Sequence, residues 1–223
     1  PHFSEASDLL VAADRARYRI WDWRNTNLLA QCPPGIDDSW PVLSPDGRRV
    51  AYLASTSSVA WLDVHANHER GRLEGLPGQA RALALTTDGA WLAMEVNREI
   101  AVWRLADRAL LGRRSLPASI FGSAWLHDEP LIALGCEDRH LYLWDVATDR
   151  LQQLPGHLRE GVWPCWHSSG NLLASIAWDH VLRLWDPYAG VQLMETKFGR
   201  PTGFSPDGQW LGVSNARGAG RLK

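Results

Sequence analysis

The stretch His140-Leu141-Tyr142-Leu143-Trp144-Asp145-Val146 decides the fold, because close copies of it return at a fixed interval. Its large apolar residues alternate with mixed ones and end at Trp-Asp, which is typical of a half-buried strand. The residue at the Trp place recurs every 41 positions along the chain: Trp21, Leu62, Trp103, Trp144 and Trp185. A period of this size predicts a repeat architecture in which each unit stacks on its neighbours.

Each repeat contains four short apolar or alternating runs, separated by turns rich in Gly, Pro, Asp and Ser. The clearest copy, 157–199, has its runs at 162–166, 172–177, 181–185 and 191–196. No run has the 3.6-residue period of an amphipathic helix. Four strands per repeat, with the repeats arranged around an axis, form a β-propeller. We therefore predict an all-β propeller whose blades bury their two apolar faces against each other.

The turns also divide the chain into units. We predict one domain over 1–223, with four complete four-stranded blades and a partial blade at each end. The boundaries are 1–35 (partial), 36–78, 79–118, 119–156, 157–199 and 200–223 (truncated). The first unit supplies its second to fourth strands and the last begins with a first and a second strand, so the two ends overlap. We expect an open arc of a larger ring, with exposed edge strands that favour self-association.

Composition and charge exclude several classes of function. Tryptophan occurs 13 times against 4 Phe and 4 Tyr, which indicates a repeated structural use of indoles. The net charge of −2 provides no strong field for nucleic acid or an anionic membrane, so neither partner is expected. The odd set of Cys32, Cys136 and Cys165 indicates reduced thiols and a cytoplasmic location. No run approaches the ~18 apolar residues needed to span a bilayer.

The stretches 143–145 and 184–186, both Leu-Trp-Asp, resemble the signature of the WD-repeat (WD40) family. The resemblance covers nearly all of 1–223, because the period, the Trp-Asp ends and the Ser-Pro-Asp-Gly turns at 44–47 and 205–208 agree with it. It implies a ring of about seven blades. The chain would then be a fragment of a longer repeat protein.

Blades of this family often carry a hydrogen-bonded tetrad of His, Ser or Thr, Asp and Trp. The resemblance places His157, Asp179 and Trp185 in such a tetrad in the clearest repeat, with Ala177 at the Ser place. A buried indole N–H needs an acceptor, and the Asp would orient the His. With Ala177 at the Ser place, this tetrad is expected to be incomplete.

The preceding repeat matches the tetrad less well. Asp138 and Trp144 agree with the pattern, whereas Cys136 stands at the expected Ser place and Leu116 lies near the His place. Two weaker echoes occur in earlier repeats: Asn97 with Trp103, and Thr56 with Leu62. We expect a conserved strand plan with tetrads that contribute unevenly to stability.

Catalytic and metal chemistry are not predicted. Eight histidines and Cys165 lack the third and fourth ligands at recognisable metal spacing, so no metal or cofactor site is expected. Residues 212–216, Gly-Val-Ser-Asn-Ala, faintly echo a nucleophile elbow, but no helix follows the strand. The Asp residues of the Asp-Gly turns lie on separate repeats and are interpreted as turn formers.

The main hypothesis is a non-catalytic interaction scaffold, because the resemblance implies a rigid platform that presents loops to protein or peptide partners. Such a platform could be the docking or sensor region of a larger signalling protein, by analogy at the level of fold. The predicted contact residues lie in the turns between second and third strands and between repeats: Asn97, Arg98, Arg139, His140, Arg159, Trp178 and His180.

A second hypothesis comes from the Ser-Pro-Asp-Gly turn followed by an apolar strand at 44–53. This pattern is also similar to TolB-like propellers and to those of prolyl-oligopeptidase-type enzymes. The chain would then be a regulatory part of an envelope complex or a hydrolase. The 41-residue recurrence of Trp-Asp favours the WD-repeat interpretation over this alternative.

Overall fold

The computed structural model describes residues 2–3, 9–13, 18–33, 41–66, 68–127, 129–154, 156–197, 200–205, 207–215 and 218–222. Within these ranges the chain consists of strands and turns, and no helix occurs there. None of the described segments is therefore a helix that could cross a membrane. The chain divides into two compact units, Pro1–Ser115 and Leu116–Lys223.

The first unit contains three antiparallel sheets, each a meander of four consecutive strands. Sheet 1 comprises β1 (His2–Phe3), β2 (Leu9–Ala13), β3 (Tyr18–Asp22) and β4 (Asn27–Cys32). Sheet 2 comprises β5 (Val42–Leu43), β6 (Arg49–Ser55), β7 (Ser58–Asp63) and β8 (His68–Leu73). Sheet 3 comprises β9 (Ala80–Leu85), β10 (Trp91–Val96), β11 (Glu99–Arg104) and β12 (Ala109–Ser115).

The second unit continues the plan with two four-stranded sheets and one of three strands. Sheet 4 comprises β13 (Ile120–Trp125), β14 (Leu131–Cys136), β15 (Leu141–Asp145) and β16 (Arg150–Leu154). Sheet 5 comprises β17 (Trp163–Trp166), β18 (Leu173–Ile176), β19 (Leu182–Asp186) and β20 (Val191–Thr196). Sheet 6 comprises β21 (Arg200–Phe204), β22 (Leu211–Asn215) and β23 (Gly218–Leu222).

The all-β class and the four-strand plan are as predicted, whereas the two end sheets hold more strands than the sequence suggested. The short strand β1 pairs with β2 through His2 and Phe3, so sheet 1 has four strands instead of three. At the other end Gly218–Leu222 pairs with β22 as a third strand. Both additions are short or Gly-rich, and such runs carry little periodic signal.

The apolar core lies between consecutive sheets of each unit, and strand alternation assigns residues to its two sides. On β6, Val50 and Tyr52 belong to the cluster shared with sheet 1, whereas Ala51 and Leu53 belong to the cluster shared with sheet 3. In the second unit Trp185 packs with residues of sheet 4, while its neighbours on β18 and β19 pack towards sheet 6. Sheets 2 and 5, the middle sheets of the two units, thus bury both faces against their neighbours.

The Ser-Pro-Asp-Gly turn between first and second strands is stabilised by its own side chains. Oγ of Ser44 donates to Asp46 at 2.6 Å and accepts the N–H of Arg49 at 2.9 Å. Gly47 has φ = 75°, a left-handed conformation that glycine adopts without steric cost. The corresponding hydrogen bonds recur in the turns at 86–91 and 205–210.

The outer strand of four sheets contains a register shift beside the Trp place. The shift falls at Trp21, Leu62, Trp103 and Trp185, where β4, β8, β12 and β20 each carry one extra residue. In sheet 4 the pairing of β15 with β16 is regular throughout. These bulges bend the outer edges of the other four sheets.

Candidate functional site

The third strand of sheet 5 carries a buried indole that begins a chain of polar contacts. Trp185 has no exposed surface, and its Nε1–H donates to Oγ of Ser175 at 2.8 Å. Ser175 lies on β18 opposite Arg183, and its Oγ is also 2.8 Å from Nε2 of His157. One hydroxyl therefore satisfies the indole and positions the imidazole.

Asp179, in the turn between β18 and β19, faces this network from the other side. Both carboxylate oxygens lie 3.2 Å from Nδ1 of His157. The carboxylate also accepts the N–H groups of Leu158 at 2.9 Å and Val181 at 3.0 Å, and NH1 of Arg183 donates to it at 3.0 Å. The turn, the preceding linker and the third strand are thereby tied together.

Arg183 extends the network to the outer strand of sheet 5. Its buried guanidinium contacts Nδ1 of His157, and its Nε donates to Oε1 of Gln192 at 3.1 Å. NH2 lies 3.6 Å from the carboxylate of Glu195. A buried cation that is paired and hydrogen-bonded in this way avoids most of its desolvation cost.

The surroundings fix the charge states of this network. Burial, reinforced by the nearby charge of Arg183, lowers the pKa of His157 to about 4. Burial alone would raise the pKa of Asp179, but hydrogen bonds from Leu158, Val181 and Arg183 lower it to about 2. At neutral pH the network therefore holds a neutral imidazole, an ionised carboxylate and a charged guanidinium.

The prediction that Ala177 occupies the Ser place was wrong, and the tetrad of sheet 5 is complete. The antiparallel register pairs Ser175 with Arg183, which precedes Trp185 by two residues on the same face. Counting across the ladder from the Trp would have identified Ser175, whereas counting back from the turn led to Ala177. The polar network of this sheet was therefore accessible from strand pairing.

Sheet 4 has the same strands with an apolar residue at the Ser place. The register pairs Leu134 with Tyr142, so Leu134, and not the predicted Cys136, stands at that place. Trp144 is only 1% exposed, and its Nε1–H donates to Oδ1 of Asp149 at 2.9 Å in the following turn. The indole is satisfied locally and no chain of polar side chains crosses the sheet from it.

Asp138 in sheet 4 is held by the residue that corresponds to Arg183. The hydroxyl of Tyr142 donates to Oδ2 of Asp138 at 2.7 Å, and the N–H of His140 donates to Oδ1 at 3.1 Å. Burial and the bond to Asp138 raise the pKa of Tyr142. A neutral phenol thus replaces the arginine as the anchor of the turn carboxylate.

The seven predicted contact residues lie in turns or in the linker between sheets. Asn97 and Arg98 form the β10–β11 turn of the first unit, and both are exposed. In the second unit, exposed or partly exposed positions are occupied by Arg139 and His140 (β14–β15 turn), Arg159 (β16–β17 linker), and Trp178 and His180 (β18–β19 turn).

Three of these turns share an uncommon backbone conformation. Arg98, Arg139 and His180 have φ values of 62°, 76° and 58°. A left-handed conformation in a non-glycine residue costs on the order of 1 kcal/mol and is found mostly in turns and at functional sites. The repeats therefore present different side chains from the same rigid turn geometry.

Trp178 belongs to an aromatic platform, which we define as Phe121, Trp163 and Trp178. The ring of Phe121 lies 4.8 Å from that of Trp163 and 4.9 Å from that of Trp178, nearly perpendicular to both. A Cβ built on Gly161 would lie 2.7 Å from Cε2 of Trp178, so only glycine allows the indole to lie so close to this backbone. Trp178 is nevertheless 47% exposed, which makes it a fixed and accessible aromatic side chain.

The linker at 156–161 holds the turns of sheets 4 and 5 together next to this platform. The N–H of His157 donates to the carbonyl of Arg139 at 2.7 Å, and the N–H of Trp178 donates to the carbonyl of Glu160 at 3.0 Å. Between these anchors Leu158 is 74% exposed, and Arg159 is exposed as well. Backbone hydrogen bonds at both ends of the linker thus fix the segment that carries Leu158 and Arg159, next to the turns that carry Arg139 and Trp178.

Sequence comparison relates the chain to WD repeat proteins. It is 27% identical over 80% of its length to the WD repeat-containing protein WDS homolog of Arabidopsis thaliana, covering 34% of that protein. It is 29% identical over 74% of its length to Protein HIR1 of Cryptococcus neoformans, covering 19% of it. It is 31% identical over 44% of its length to mRNA export factor rae-1 of Caenorhabditis elegans, covering 26% of it.

The family described as WD domain, G-beta repeat matches residues 148–186, which contain the tetrad of sheet 5: His157, Ser175, Asp179 and Trp185. The chain therefore contains a segment, 148–186, that matches a WD40 repeat, and over most of its length it is similar to WD repeat proteins. It spans about a third or less of the length of the relatives named above. The match falls on the repeat whose tetrad is complete.

The repeats of the first unit depart further from sheet 5. At the Ser place the register puts Met94 in sheet 3, opposite Ala101, and Tyr52 in sheet 2, opposite Ala60. The buried Nε1 of Trp103 finds no hydrogen-bond partner within the described part of sheet 3 and its surroundings. Neither Met94 nor Tyr52 supplies the serine hydroxyl of sheet 5, just as Leu134 does not in sheet 4.

Two histidines for which the sequence predicted no role form hydrogen bonds between neighbouring repeats. Nε2 of His127 lies 2.7 Å from the carbonyl of Ser168, and Nε2 of His167 lies 3.0 Å from the carbonyl of Gly208. In the first unit NH1 of Arg49 donates to the carbonyl of Gly89 at 2.7 Å. Each bond connects residues about one repeat apart and fastens one turn to the next.

Proposed function

We propose that the chain is a non-catalytic platform that binds protein partners, with its main contact surface around Arg139, Arg159 and Trp178. The observation that carries this proposal is the aromatic platform, in which an indole with 47% exposure is fixed by Phe121 and Gly161. Trp and Arg dominate the energetics of protein interfaces. A side chain that is already ordered loses little entropy on binding. The similarity to WD repeat proteins supports the same role.

The polar network of sheet 5 supports a structural role over a catalytic one. Ser175, His157 and Asp179 are connected in the order of a hydrolytic triad. Ser175 is completely buried, however, and its oxygen already accepts the indole N–H of Trp185. A nucleophile must reach a substrate carbonyl, and a hydroxyl in this position cannot do so. We therefore propose that the network supports the contact surface and performs no reaction.

The proposal is tested by the double variant Arg139→Ala/Trp178→Ala in quantitative affinity capture from cell extract. We expect partners captured by the unchanged chain to be lost, because two central side chains of the contact surface are absent. The loss of the two edge-to-face contacts of Trp178, with Phe121 and Trp163, should cost about 1–3 kcal/mol and lower Tm by about 10 °C or less. Mass spectrometry of the captured proteins and a melting curve provide the two readouts.

A matched control is Arg150→Ala/Tyr188→Ala, which removes an arginine and an aromatic residue from exposed positions: Arg150 begins β16, and Tyr188 lies in the β19–β20 turn. Capture by this control should equal that of the unchanged chain. Equal capture by the Arg139→Ala/Trp178→Ala variant would contradict the proposed surface. In the first unit, Asn97→Ala/Arg98→Ala tests whether the β10–β11 turn contributes.

Two expectations from the sequence stay predictions. A regulatory role in an envelope complex or hydrolase rested on the Ser-Pro-Asp-Gly turns, and the side chains of the turn at 44–47 bond mainly within it. The cytoplasmic location rested on the cysteine count. Fractionation with an antibody to the natural protein would test the location.

A further inference from the structure

The charges beside the aromatic platform indicate what kind of partner fits it. Arg139 and Arg159 are exposed, and within the described part of the chain neither guanidinium has a hydrogen-bond or ion-pair partner. The His157–Arg139 backbone bond places the Arg139 turn directly beside the linker that carries Arg159. Guanidinium groups match carboxylates in planar, bidentate pairs.

The apolar part of the same surface provides an anchor point. Leu158 is 74% exposed, and its N–H is held by Asp179, the residue that follows Trp178. The Asp179 carboxylate thus holds the backbone of Leu158 next to the turn that carries Trp178. Both side chains expose apolar surface to solvent. An exposed Leu beside an exposed Trp, rimmed by charged residues, is typical of an interaction site.

We propose that this surface binds an extended acidic segment of a partner protein, resting on the platform function proposed above. A bulky apolar side chain of the segment packs on Trp178 and Leu158, and carboxylates on either side of it pair with Arg139 and Arg159. The guanidinium groups steer the segment and set its register, while the rings supply the apolar contact.

The carboxylates of Glu137, in the β14–β15 turn, and Glu160, in the β16–β17 linker, affect how an acidic segment binds. Glu137 is exposed and donates its N–H to the carbonyl of Ser119, which ties its backbone to the linker before β13. Glu160 is exposed and adjoins Trp178 through its carbonyl. Its carboxylate repels an acidic ligand, so Glu160→Gln should tighten binding by about 2-fold.

Fluorescence anisotropy with three labelled nine-residue peptides tests the proposal on the full chain. The first has a central Leu flanked by Asp and Glu, the second replaces the acidic residues with Lys, and the third replaces the Leu with Ser. We expect the first peptide to bind at least about 10-fold more tightly than the others, with weaker binding at higher salt. Arg139→Glu, Arg159→Glu and Trp178→Ala should each weaken it by about 10-fold or more.

Arg150→Glu is the matched control, since it reverses an exposed arginine near the β15–β16 turn and should change affinity less than about 2-fold. Tighter binding of the Lys peptide, no binding of the acidic peptide, or unchanged affinity in Arg139→Glu and Arg159→Glu would overturn the acidic assignment. Binding of a single-stranded oligonucleotide that competes with the acidic peptide would also overturn it. If partner capture still depends on Arg139 and Trp178 in those cases, the platform function stands and only the partner chemistry fails.

Discussion

Sheets 4 and 5 share strands, turns and a buried Trp but satisfy their interiors in different ways. In sheet 5 a chain of side chains connects Trp185 through Ser175 and His157 to Asp179. In sheet 4 the indole of Trp144 bonds locally to Asp149, and Leu134 fills the place of the serine. The comparison shows that two different sets of side chains can satisfy a buried indole and anchor the turn carboxylate.

The turn carboxylate should matter far more in sheet 5 than in sheet 4. Asp179→Ala leaves the buried guanidinium of Arg183 without its closest carboxylate, and breaking a buried pair typically costs about 3–5 kcal/mol. Asp138→Ala leaves only a phenol and one N–H unsatisfied, at about 1–3 kcal/mol. Urea unfolding of both variants measures the difference. Equal losses would remove the distinction between the two sheets.

Acid should destabilise sheet 5 selectively. The pKa of His157 is about 4 in the folded chain against 6.5 for an unperturbed histidine, so between these pH values the unfolded chain binds a proton that the folded chain does not. The free energy of unfolding therefore falls as the pH is lowered from 6.5 to about 4, by at most about 1.4 kcal/mol per pH unit. Asp179, with a pKa of about 2, contributes no such loss above 3.8.

The control for this pH effect is His157→Gln, which keeps hydrogen-bonding atoms and removes the titration. Sheet 4 has Leu116 near the corresponding place, so it supplies no equivalent proton. Unfolding free energies of the unchanged chain and the variant, measured at several values from pH 7 to pH 4.5, should converge as the pH falls. Parallel curves would show that His157 is not the group responsible.

The smallest effect is expected from Tyr142→Phe. This change removes the hydroxyl that donates to Asp138 at 2.7 Å and keeps the packing of the ring. Loss of a single hydrogen bond of this kind costs about 1 kcal/mol. Chemical unfolding of the variant measures the cost, and a cost as large as that of Asp179→Ala would mean that sheet 4 depends on its phenol as strongly as sheet 5 depends on its ion pair.

The period and the strand plan could be predicted from the sequence because they are carried by large residues at fixed intervals. His157, Asp179 and Trp185 were identified through the resemblance to the WD-repeat family. Ser175 was missed because its role depends on cross-strand register, which is not visible along the chain. Arg183 was missed because its partners lie in a turn, a linker and an outer strand.

The contact surface was predicted only in outline. Trp178 and the arginines were recognisable as turn residues of suitable chemistry. The roles of Phe121 and Gly161 in fixing the indole come from packing between sheets 4 and 5. The sequence alone does not show that the Trp178 ring packs against Gly161.

The displaced residues in the outer strands bear on how such a molecule avoids fibre formation. Another chain could not pair continuously with β4, β8, β12 or β20, because the extra residue in each strand shifts the spacing of its backbone N–H and C=O groups. Among the five fourth strands described, β16 alone keeps an unbroken ladder, and it is short and polar. Among these fourth strands, β16 therefore offers the most regular edge for another chain, while the bulged edges of the other four hinder growth into a continuous cross-β ribbon.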